Sequence, residues 1–225
     1  MKKRIGLLGT KNHESTITYY RLLMQKYVEK TGSYDYPEIV IVGLSFQKIN
    51  GLEKAGDNKA LINYLLTGID ALSKAGVDFI AIVNNVTHAV FPEIQSQTNV
   101  PMISIVETTV EEAKSLNIKK ALLLGTKVTM RSDFYQKVFK REGIEVIAPT
   151  EKEQDELNAI IDNELVKMDF KSESRKKYVE IIESYNVDAV IFACTEIPWL
   201  IKEKDISKIV LDPTELHVEA ILRGT

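Results

Sequence analysis

Short apolar segments alternate with longer segments of helical periodicity along the whole sequence, and this alternation constrains the fold more than any other feature. The apolar segments consist mainly of Ile, Val, Leu and Ala, without the polar alternation of a half-exposed strand. Uninterrupted runs of this kind are typical of strands that are buried on both faces of a parallel sheet. The predicted strands span residues 5–9, 39–43, 79–83, 102–105, 121–125, 145–148, 189–193 and 209–211.

Helix-period segments separate these strands, so that strand and helix follow each other in regular order. This order predicts an α/β fold whose parallel sheets are built by right-handed crossover connections. The 225 residues suffice for one large domain or two small ones, and no Pro-, Gly- or Ser-rich linker divides them. The predicted helices lie near residues 15–31, 58–75, 108–116, 130–142, 151–167, 172–184 and 214–223.

Two stretches of the first half of the chain recur in the second half. The pentapeptide Leu-Leu-Gly-Thr-Lys occurs at 7–11 and again at 123–127, each time at the end of an apolar strand and before a helix. The stretch 77–84, with Val-Asp ahead of an apolar strand, is echoed by 187–194 at nearly the same offset. Two ordered matches in the same context indicate an internal duplication.

The duplication predicts two similar Rossmann-like lobes with parallel sheets, related by pseudo-two-fold symmetry. The first lobe is expected to span residues 1–104, with 207–225 returning to it, and the second lobe residues 105–206. Open α/β sheets bind their ligands at the carboxyl ends of the strands. We therefore expect the active site in the cleft between the two lobes.

Composition and charge exclude several classes of protein. Lys and Arg total 29 and Asp and Glu total 32, which gives a net charge of −3 without a basic face, so no nucleic-acid partner is expected. The sequence lacks an apolar run of membrane-spanning length and a signal peptide, so we expect a cytoplasmic protein without a membrane partner. The three histidines lack metal-ligand spacing, and no glycine pattern indicates a phosphate or dinucleotide site.

The sequence contains a single cysteine, Cys194, which excludes an intrachain disulfide. The repeat places Cys194 and Asn84 at the same point of the two lobes, each six residues after an Asp that opens a buried strand. One interpretation is a thiol packed in the core, the usual environment of cysteine. The other is a reactive thiol, because Thr195 and Glu196 begin a helix whose free N–H groups would lower the thiol pKa.

Around these residues the chain resembles the PLP-independent aspartate/glutamate racemase family, over essentially its whole length. Residues 193–198 (Ala-Cys-Thr-Glu-Ile-Pro) resemble the family's Gly-Cys-Thr-Glu-Ile/Leu-Pro segment around the second-lobe catalytic cysteine. Residues 125–130 are similar to the family's Gly-Thr-x-x-Thr segment, which holds the substrate α-carboxylate. Residues 84–88 occupy the place of its Cys-Asn-Thr-x-His segment, and residues 5–16 resemble its first substrate loop.

The resemblance implies a homodimeric amino-acid racemase that uses neither a cofactor nor a metal. Its small-molecule substrate would be an amino acid or dicarboxylate, with aspartate and glutamate as the first candidates. In the family, two cysteines exchange protons on opposite faces of the α-carbon. Here Asn84 replaces the first of them, and a carboxamide is no base near neutral pH. The second face would then depend on a water molecule or on a hydroxyl such as that of Thr87.

The resemblance also assigns the site residue by residue. The expected catalytic residues are Cys194, Asn84 and Thr87. The expected substrate-binding residues are Thr10, Asn85, Thr126, Thr129, Met130, Thr195 and Glu196.

Two other functions stay open on the sequence alone. A homologue that has lost racemisation would only bind an acidic metabolite, with Cys194 as a packing residue. A single-cysteine decarboxylase-like enzyme would protonate an enolate from one face. Lys11 and Lys127, at equivalent positions of the repeat, are candidates for attracting a carboxylate. His88 takes the position of the histidine in the family's first-lobe segment.

Overall fold

The computed structural model describes residues 2–225, in which strands and helices alternate. The strands are β1 (Ile5–Gly9), β2 (Ile39–Gly43), β3 (Phe79–Ile82), β4 (Met102–Ile103), β5 (Lys120–Gly125), β6 (Glu145–Ile147), β7 (Ala189–Ala193) and β8 (Ile209–Leu211). The helices are α1 (His13–Thr31), α2 (Phe46–Ala55), α3 (Asn58–Lys74), α4 (Phe91–Gln95), α5 (Ile105–Ser115), α6 (Lys127–Arg131), α7 (Phe134–Arg141), α8 (Glu151–Asn163), α9 (Ser172–Ser184), α10 (Ile197–Leu200) and α11 (Pro213–Arg223). Short 3₁₀ turns cover Val86–Val90, Leu165–Lys167 and Glu203–Asp205.

Within residues 2–225 the strands form two four-stranded parallel sheets. One sheet has the order β2-β1-β3-β4 and the other the order β6-β5-β7-β8, so the two sheets share one topology. The central strands pair in the same way in both sheets, with Ile5 opposite Phe79 and Ala121 opposite Ala189. The predicted α/β fold with two similar parallel sheets is therefore confirmed.

By its internal packing the chain divides into two compact units. The first unit contains the residues up to Thr108 together with Thr214–Thr225, and the second contains Thr109–Pro213. The sheet of β1–β4 belongs to the first unit and the sheet of β5–β8 to the second. Among residues 2–225, no helix combines the length and the apolar character needed to cross a membrane.

The central strands of the first sheet, β1 and β3, are buried on both faces, as their apolar sequences predict. On one face, Ile5 and Leu7 of β1 pack in a cluster with side chains of α1 and α11. On the other face, Leu8 packs in a cluster with side chains of α3, among them Leu65 and Leu72. Burial of each such side chain contributes about 1.5–3 kcal/mol. The two packed layers hold the central strands and thereby fix where the loops after β1 and β3 begin.

Both copies of the repeated pentapeptide contain a glycine that a larger residue could not replace without a shift. A Cβ atom on Gly9 would lie 2.6 Å from Thr16 Oγ1, and one on Gly125 would lie 3.2 Å from Thr129 Cβ. In each unit, the first helix after the strand therefore packs a threonine directly on the strand end. The glycine of the repeat thus brings the start of a helix against the carboxyl end of a central strand.

An aspartate of the second repeated stretch ties the central strands together at their other end. Asp78 accepts a hydrogen bond from the backbone N–H of Arg4 (2.6 Å), just ahead of β1. Asp188 accepts one in the same way from Lys119 (2.8 Å), just ahead of β5. Backbone hydrogen bonds of this kind lower the pKa of the Asp188 carboxyl. The Asp that recurs in 77–84 and 187–194 is therefore explained by its hydrogen bond to the backbone just ahead of the neighbouring central strand.

The prediction of one helix over 130–142 is wrong. The structure has two helices there, α6 and α7, because Ser132 between them has extended dihedral angles (φ −78°, ψ 157°). Helix α2 was not predicted, since its Asn-Gly pair resembles a turn and Ile49 is the residue it buries. The helix predicted for 151–167 ends at Asn163, where a 3₁₀ turn follows.

Candidate active site

Three polar residues predicted for the site come together in the first unit, at the carboxyl ends of β1 and β3. Asn84 Oδ1 accepts hydrogen bonds from the N–H (3.2 Å) and the hydroxyl (3.4 Å) of Thr87. The hydroxyl oxygens of Thr87 and Thr10 lie 2.9 Å apart, and both threonines are buried. Asn85, also predicted for the site, is buried in the same segment. Asn84 therefore caps the turn that follows it.

His88 holds this segment to the start of α5. Its Nδ1–H donates to the carbonyl oxygen of Asn84 (2.7 Å), and its Nε2 accepts from the N–H of Ile105 (3.2 Å). Because a carbonyl oxygen only accepts and an N–H only donates, these two bonds define one neutral tautomer of the ring. The ring stacks on Phe91 with centroids 5.0 Å apart. His88 therefore links two backbone segments without carrying a charge.

A second buried histidine, His217 of α11, packs edge-on against His88, with ring centroids 6.1 Å apart. Its Nε2–H donates to the carbonyl oxygen of Ile103, and its Nδ1 accepts from the hydroxyl of Tyr19 (both 2.9 Å). Burial lowers the pKa of His217 to about 4. Burial and the neighbouring His217 lower the pKa of His88 to about 3. Both rings are therefore neutral in the folded protein near neutral pH.

We expect the folded protein to lose stability as the pH falls from 7.5 to 5. In the unfolded chain each histidine takes up a proton near pH 6.5, whereas His88 and His217 stay neutral in the fold until about pH 3 and 4. The unfolded state then binds more protons, so the free energy of unfolding falls by about 2 kcal/mol per histidine over this range. Urea unfolding at the two pH values measures the loss.

The control for this prediction is His217→Gln. Its side-chain amide keeps a donor for the Ile103 carbonyl but cannot titrate, so this variant should lose less stability between the two pH values. Equal losses for wild type and His217→Gln would contradict the assignment of the acid sensitivity to this buried pair.

In the second unit, the predicted residues Thr126 and Thr129 lie where β5 leads into α6. Thr126 Oγ1 accepts from the N–H of Thr129 (3.4 Å), and the two hydroxyl oxygens lie 3.1 Å apart. Met130 packs in the apolar core of this unit, in the same cluster as Leu124. Its side chain therefore serves packing, and its predicted contact with substrate stays a prediction.

Cys194 directly follows β7, and its thiol donates to a carboxylate. Its Sγ lies 2.9 Å from Oε2 of Glu196, and the hydroxyl of Thr195 donates to the same oxygen (2.8 Å). Cys194 is 8% exposed and Glu196 6%, so a buried carboxylate lies beside a buried thiol. A carboxylate within hydrogen-bond distance of a thiol can accept its proton. We call Cys194 and Glu196 the thiol–carboxylate pair.

The pKa of the Cys194 thiol is raised well above its ordinary value, and the prediction of a lowered pKa is wrong. Burial disfavours the thiolate most strongly, and the negative charge of Glu196 adds to this effect. A backbone hydrogen bond at Glu196 acts in the predicted direction but is outweighed. Helix α10, which was expected to favour the thiolate, is only four residues long. The resting group is therefore the thiol.

We expect iodoacetamide to alkylate Cys194 more slowly in the folded protein than in the denatured chain at pH 7.5. The cause is the raised pKa of the buried thiol beside the Glu196 charge. The variant Glu196→Gln lacks that charge, so its folded form should be alkylated faster, by about 10-fold for each unit by which the pKa falls. Mass spectrometry of quenched samples gives the rates.

Denatured wild type and denatured Glu196→Gln serve as controls for this measurement and should be alkylated at equal rates. If folded Glu196→Gln is alkylated no faster than folded wild type, the carboxylate does not hold the Cys194 thiol in its protonated form.

The two lysines of the repeat are already paired with carboxylates. Lys11 forms an ion pair with Glu53 in the first unit, and Lys127 forms one with Asp155 in the second. Lys127 lowers the pKa of the Asp155 carboxyl. In both units the carboxylate lies on the helix that follows the edge strand, so the pairing is itself repeated. The charge of each lysine is balanced by a carboxylate of its own unit. There is therefore no longer a reason to expect these lysines to attract the carboxylate of a ligand.

The fold and the site together define the class of protein. Two parallel-sheet units of equal topology carry hydroxyl clusters at their strand ends, and one of them adds the thiol–carboxylate pair. Across the described residues 2–225, His, Cys, Asp and Glu side chains form no group of three or more that could hold a metal ion. The groups present suit acid–base chemistry on a duplicated α/β scaffold.

Comparison with known proteins identifies the family. The model of the Asp/Glu/Hydantoin racemase family matches residues 5–221, and the chain belongs to this family. The Bacillus subtilis protein named broad specificity amino-acid racemase RacX is 34% identical over 200 residues, which are 86% of this chain and 85% of the relative. The resemblance predicted from the sequence is therefore confirmed.

Solved structures agree with this identification. The crystal structure of an aspartate racemase homologue from Pyrococcus horikoshii is 36% identical and covers 98% of both chains with a TM-score of 0.89. The aspartate racemase of Picrophilus torridus is 23% identical and covers 98% of this chain and 93% of its own, with a TM-score of 0.77. At that identity the second structure supports the fold alone.

Proposed function

We propose that this protein is an amino-acid racemase that works without a cofactor, by proton transfer at the α-carbon. Membership of the Asp/Glu/Hydantoin racemase family supports the reaction class. The observation that carries the proposal is the contact between Cys194 Sγ and Glu196 Oε2, because it joins a thiol to a proton acceptor at the end of a central strand. Cys194 is then the acid–base group on one face of the α-carbon.

In this proposal Glu196 accepts the proton of the thiol, rather than binding substrate as the sequence predicts. The carboxylate takes the Cys194 proton, and the resulting thiolate takes the α-proton of the substrate. The substrate becomes a carbanion, and Cys194 and Glu196 each hold one proton. Because the pKa of the Cys194 thiol is raised, transfer of its proton to Glu196 is unfavourable unless the thiolate is stabilised. The ammonium group of a bound amino acid supplies a positive charge that favours the thiolate.

An α-carbanion is costly without an electron sink, so the site has to stabilise it electrostatically. We assign this part to Thr126 and Thr129, whose hydroxyl oxygens lie 3.1 Å apart, as ligands of the substrate α-carboxylate. The likeness of residues 125–130 to the family's carboxylate-binding segment supports the assignment. Ordered donors of this kind are worth about 3–4 kcal/mol each in transition states that carry negative charge.

On the second face, Asn84 occupies the position where the family has a cysteine. Its carboxamide is no base, and its oxygen already accepts two hydrogen bonds from Thr87. We assign the second proton transfer to the adjacent hydroxyls of Thr87 and Thr10, directly or through a water molecule. A hydroxyl is a much weaker acid than a thiol. Exchange with solvent should therefore be much faster for one enantiomer than for the other.

The substrate we propose is an amino acid, with aspartate and glutamate tested first beside neutral and basic amino acids. One relative is named a broad specificity amino-acid racemase and another an aspartate racemase homologue, so the names of the relatives do not agree on one substrate. A panel of amino acids is therefore a better test than a single candidate. The homodimer and the cytoplasmic location expected from the sequence stay predictions.

The experiment that tests the function is α-proton exchange in D₂O, followed by mass spectrometry, with the enantiomers separated by chiral chromatography. We expect exchange into at least one enantiomer of one amino acid. Glu196→Gln should slow this exchange although the same variant is alkylated faster, a combination that general inactivation would not give. Ligand-induced thermal shifts with no exchange for any amino acid would instead indicate a binding protein.

One feature of the sequence favours a second candidate function. Asn84 in place of a second cysteine suits a reaction that needs a proton from one face only, such as decarboxylation of a malonate-like acid with protonation by Cys194. Release of CO₂ from such acids, without α-proton exchange in amino acids, would select this alternative.

A further inference from the structure

The buried histidines of the first unit take no part in the proton transfers proposed above, although both lie close to the segment that carries Asn84. We propose that His88 is a positioning residue, which fixes the backbone of Asn84, and with it the hydroxyl of Thr87, relative to the start of α5. The catalytic consequence of this inference rests on the proposed function, whereas its geometric part does not.

The two hydrogen bonds of the His88 ring both go to the main chain. One ring nitrogen lies 2.7 Å from the carbonyl oxygen of Asn84, and the other lies 3.2 Å from the backbone nitrogen of Ile105. The ring plane is fixed as well, since it stacks on Phe91 at an interplanar angle of 9°. A planar ring with a donor on one side and an acceptor on the other thus sets the distance between two backbone segments.

Asn84 transmits this position to the hydroxyls. Its carbonyl oxygen is held by His88, and its side-chain oxygen holds the N–H of Thr87. The hydroxyl of Thr87 in turn forms a hydrogen bond with that of Thr10, and both threonines are buried. If the Asn84 backbone shifts, the cap and the Thr87 hydroxyl shift with it. A displacement of about 1 Å at a reacting group can lower a rate by about 10²-fold.

His217 supports the same arrangement from the terminal helix. It holds the carbonyl of Ile103, two residues before the N–H of Ile105 that His88 holds, so the two rings fix this short segment together. The carbonyl oxygen of Ile103 can only accept, so it fixes the tautomer of His217, and the hydroxyl of Tyr19 then donates to the other ring nitrogen. Helix α11 is thus part of the support of the Asn84 segment.

Two substitutions of His88 separate its two hydrogen bonds. His88→Asn puts an amide nitrogen near the former Nδ1, so it keeps a donor for the Asn84 carbonyl and loses the acceptor for Ile105. His88→Gln reaches the former Nε2, so it keeps an acceptor for Ile105 and loses the donor for Asn84. Because the Thr87 hydroxyl serves the second face, the readout is kcat for interconversion of the enantiomers, which needs both faces. We expect it within about 3-fold of wild type in His88→Asn and about 10²-fold lower in His88→Gln, with KM changed less. Thermal unfolding of both variants compares their stability.

A role of His88 in stability alone predicts equal kcat values for the two variants, and that result would overturn the proposal. Two NMR readouts need no activity. Wild-type His88 should show the tautomer protonated at Nδ1, and the amide of Thr87 should exchange with solvent faster in His88→Gln than in His88→Asn. The opposite tautomer or equal amide exchange would also overturn the proposal. If wild type exchanges no amino-acid α-proton while both NMR results are as expected, the proposed function fails and the positioning of Asn84 by His88 is supported.

Discussion

Replacement of Cys194 by alanine should reduce α-proton exchange by roughly 10²–10⁴-fold, the usual contribution of a positioned acid–base group. Alanine removes Sγ and its hydrogen bond to Glu196, while the backbone that follows β7 can stay in place. The loss should appear in kcat at saturating substrate, because the thiol acts on the α-proton and not in recognition. The measurement is deuterium incorporation at the α-carbon, with the substrate chosen from the amino-acid panel.

The matched control is Cys194→Ser, which keeps a donor for the Glu196 carboxylate but replaces the thiol by a far weaker acid. Its exchange should be about as slow as that of Cys194→Ala, although the polar contact is retained. Wild-type exchange in either variant would exclude Cys194 as the acid–base group.

Asn84→Cys should raise the rate at which the enantiomers of aspartate or glutamate interconvert, by roughly 10²–10⁴-fold. Positions 84 and 194 are equivalent in the repeat, each just after a central strand, so a thiol at 84 would supply the second group of a two-base mechanism. In the wild type, exchange into one enantiomer should be fast and interconversion slow. Chiral chromatography of reactions started from each pure enantiomer measures both.

Two variants at the same position control for the loss of the cap on Thr87. Asn84→Ala removes both the carboxamide and the cap, and Asn84→Ser keeps an oxygen acceptor for the Thr87 N–H without adding a thiol or a carboxylate. Neither should gain activity. If folded Asn84→Cys is no more active than Asn84→Ala, positions 84 and 194 do not act on one α-carbon. The decarboxylase-like or the binding function would then be preferred.

The central strands were predictable because burial on both faces leaves uninterrupted apolar runs, and the partly exposed edge strands β2 and β8 carry apolar runs of the same kind. The predicted ranges 5–9, 39–43, 189–193 and 209–211 match β1, β2, β7 and β8 residue for residue. Helix α2 was not predicted because its Asn-Gly pair resembles a turn, although its apolar residues follow a helical period. The extended dihedral angles of the single residue Ser132 leave no apolar pattern in the sequence. For this reason one helix was predicted where two occur.

For the site, the sequence could indicate which residues follow strand ends but not how deeply they are buried. Cys194 and Glu196 are both predicted for the site from the sequence, yet the direction of the carboxylate and the raised thiol pKa depend on tertiary packing. The support by Tyr19 and His217 was missed, because these residues lie at opposite ends of the chain and share no motif. Contacts between residues that are distant in sequence leave no local pattern from which to predict them.

The aspartates at the strand starts have a consequence for how such a protein can diverge. Asp78 and Asp188 each bind a backbone N–H ahead of the neighbouring strand, whatever residue stands six positions later. Strand alignment is therefore secured at the end of the strand away from Asn84 and Cys194. One duplicated half ends its strand in Asn84 and the other in Cys194 on the same scaffold. In a protein with this duplicated scaffold, residues at the carboxyl ends of the strands can be substituted while the contacts at the other ends keep the strands aligned.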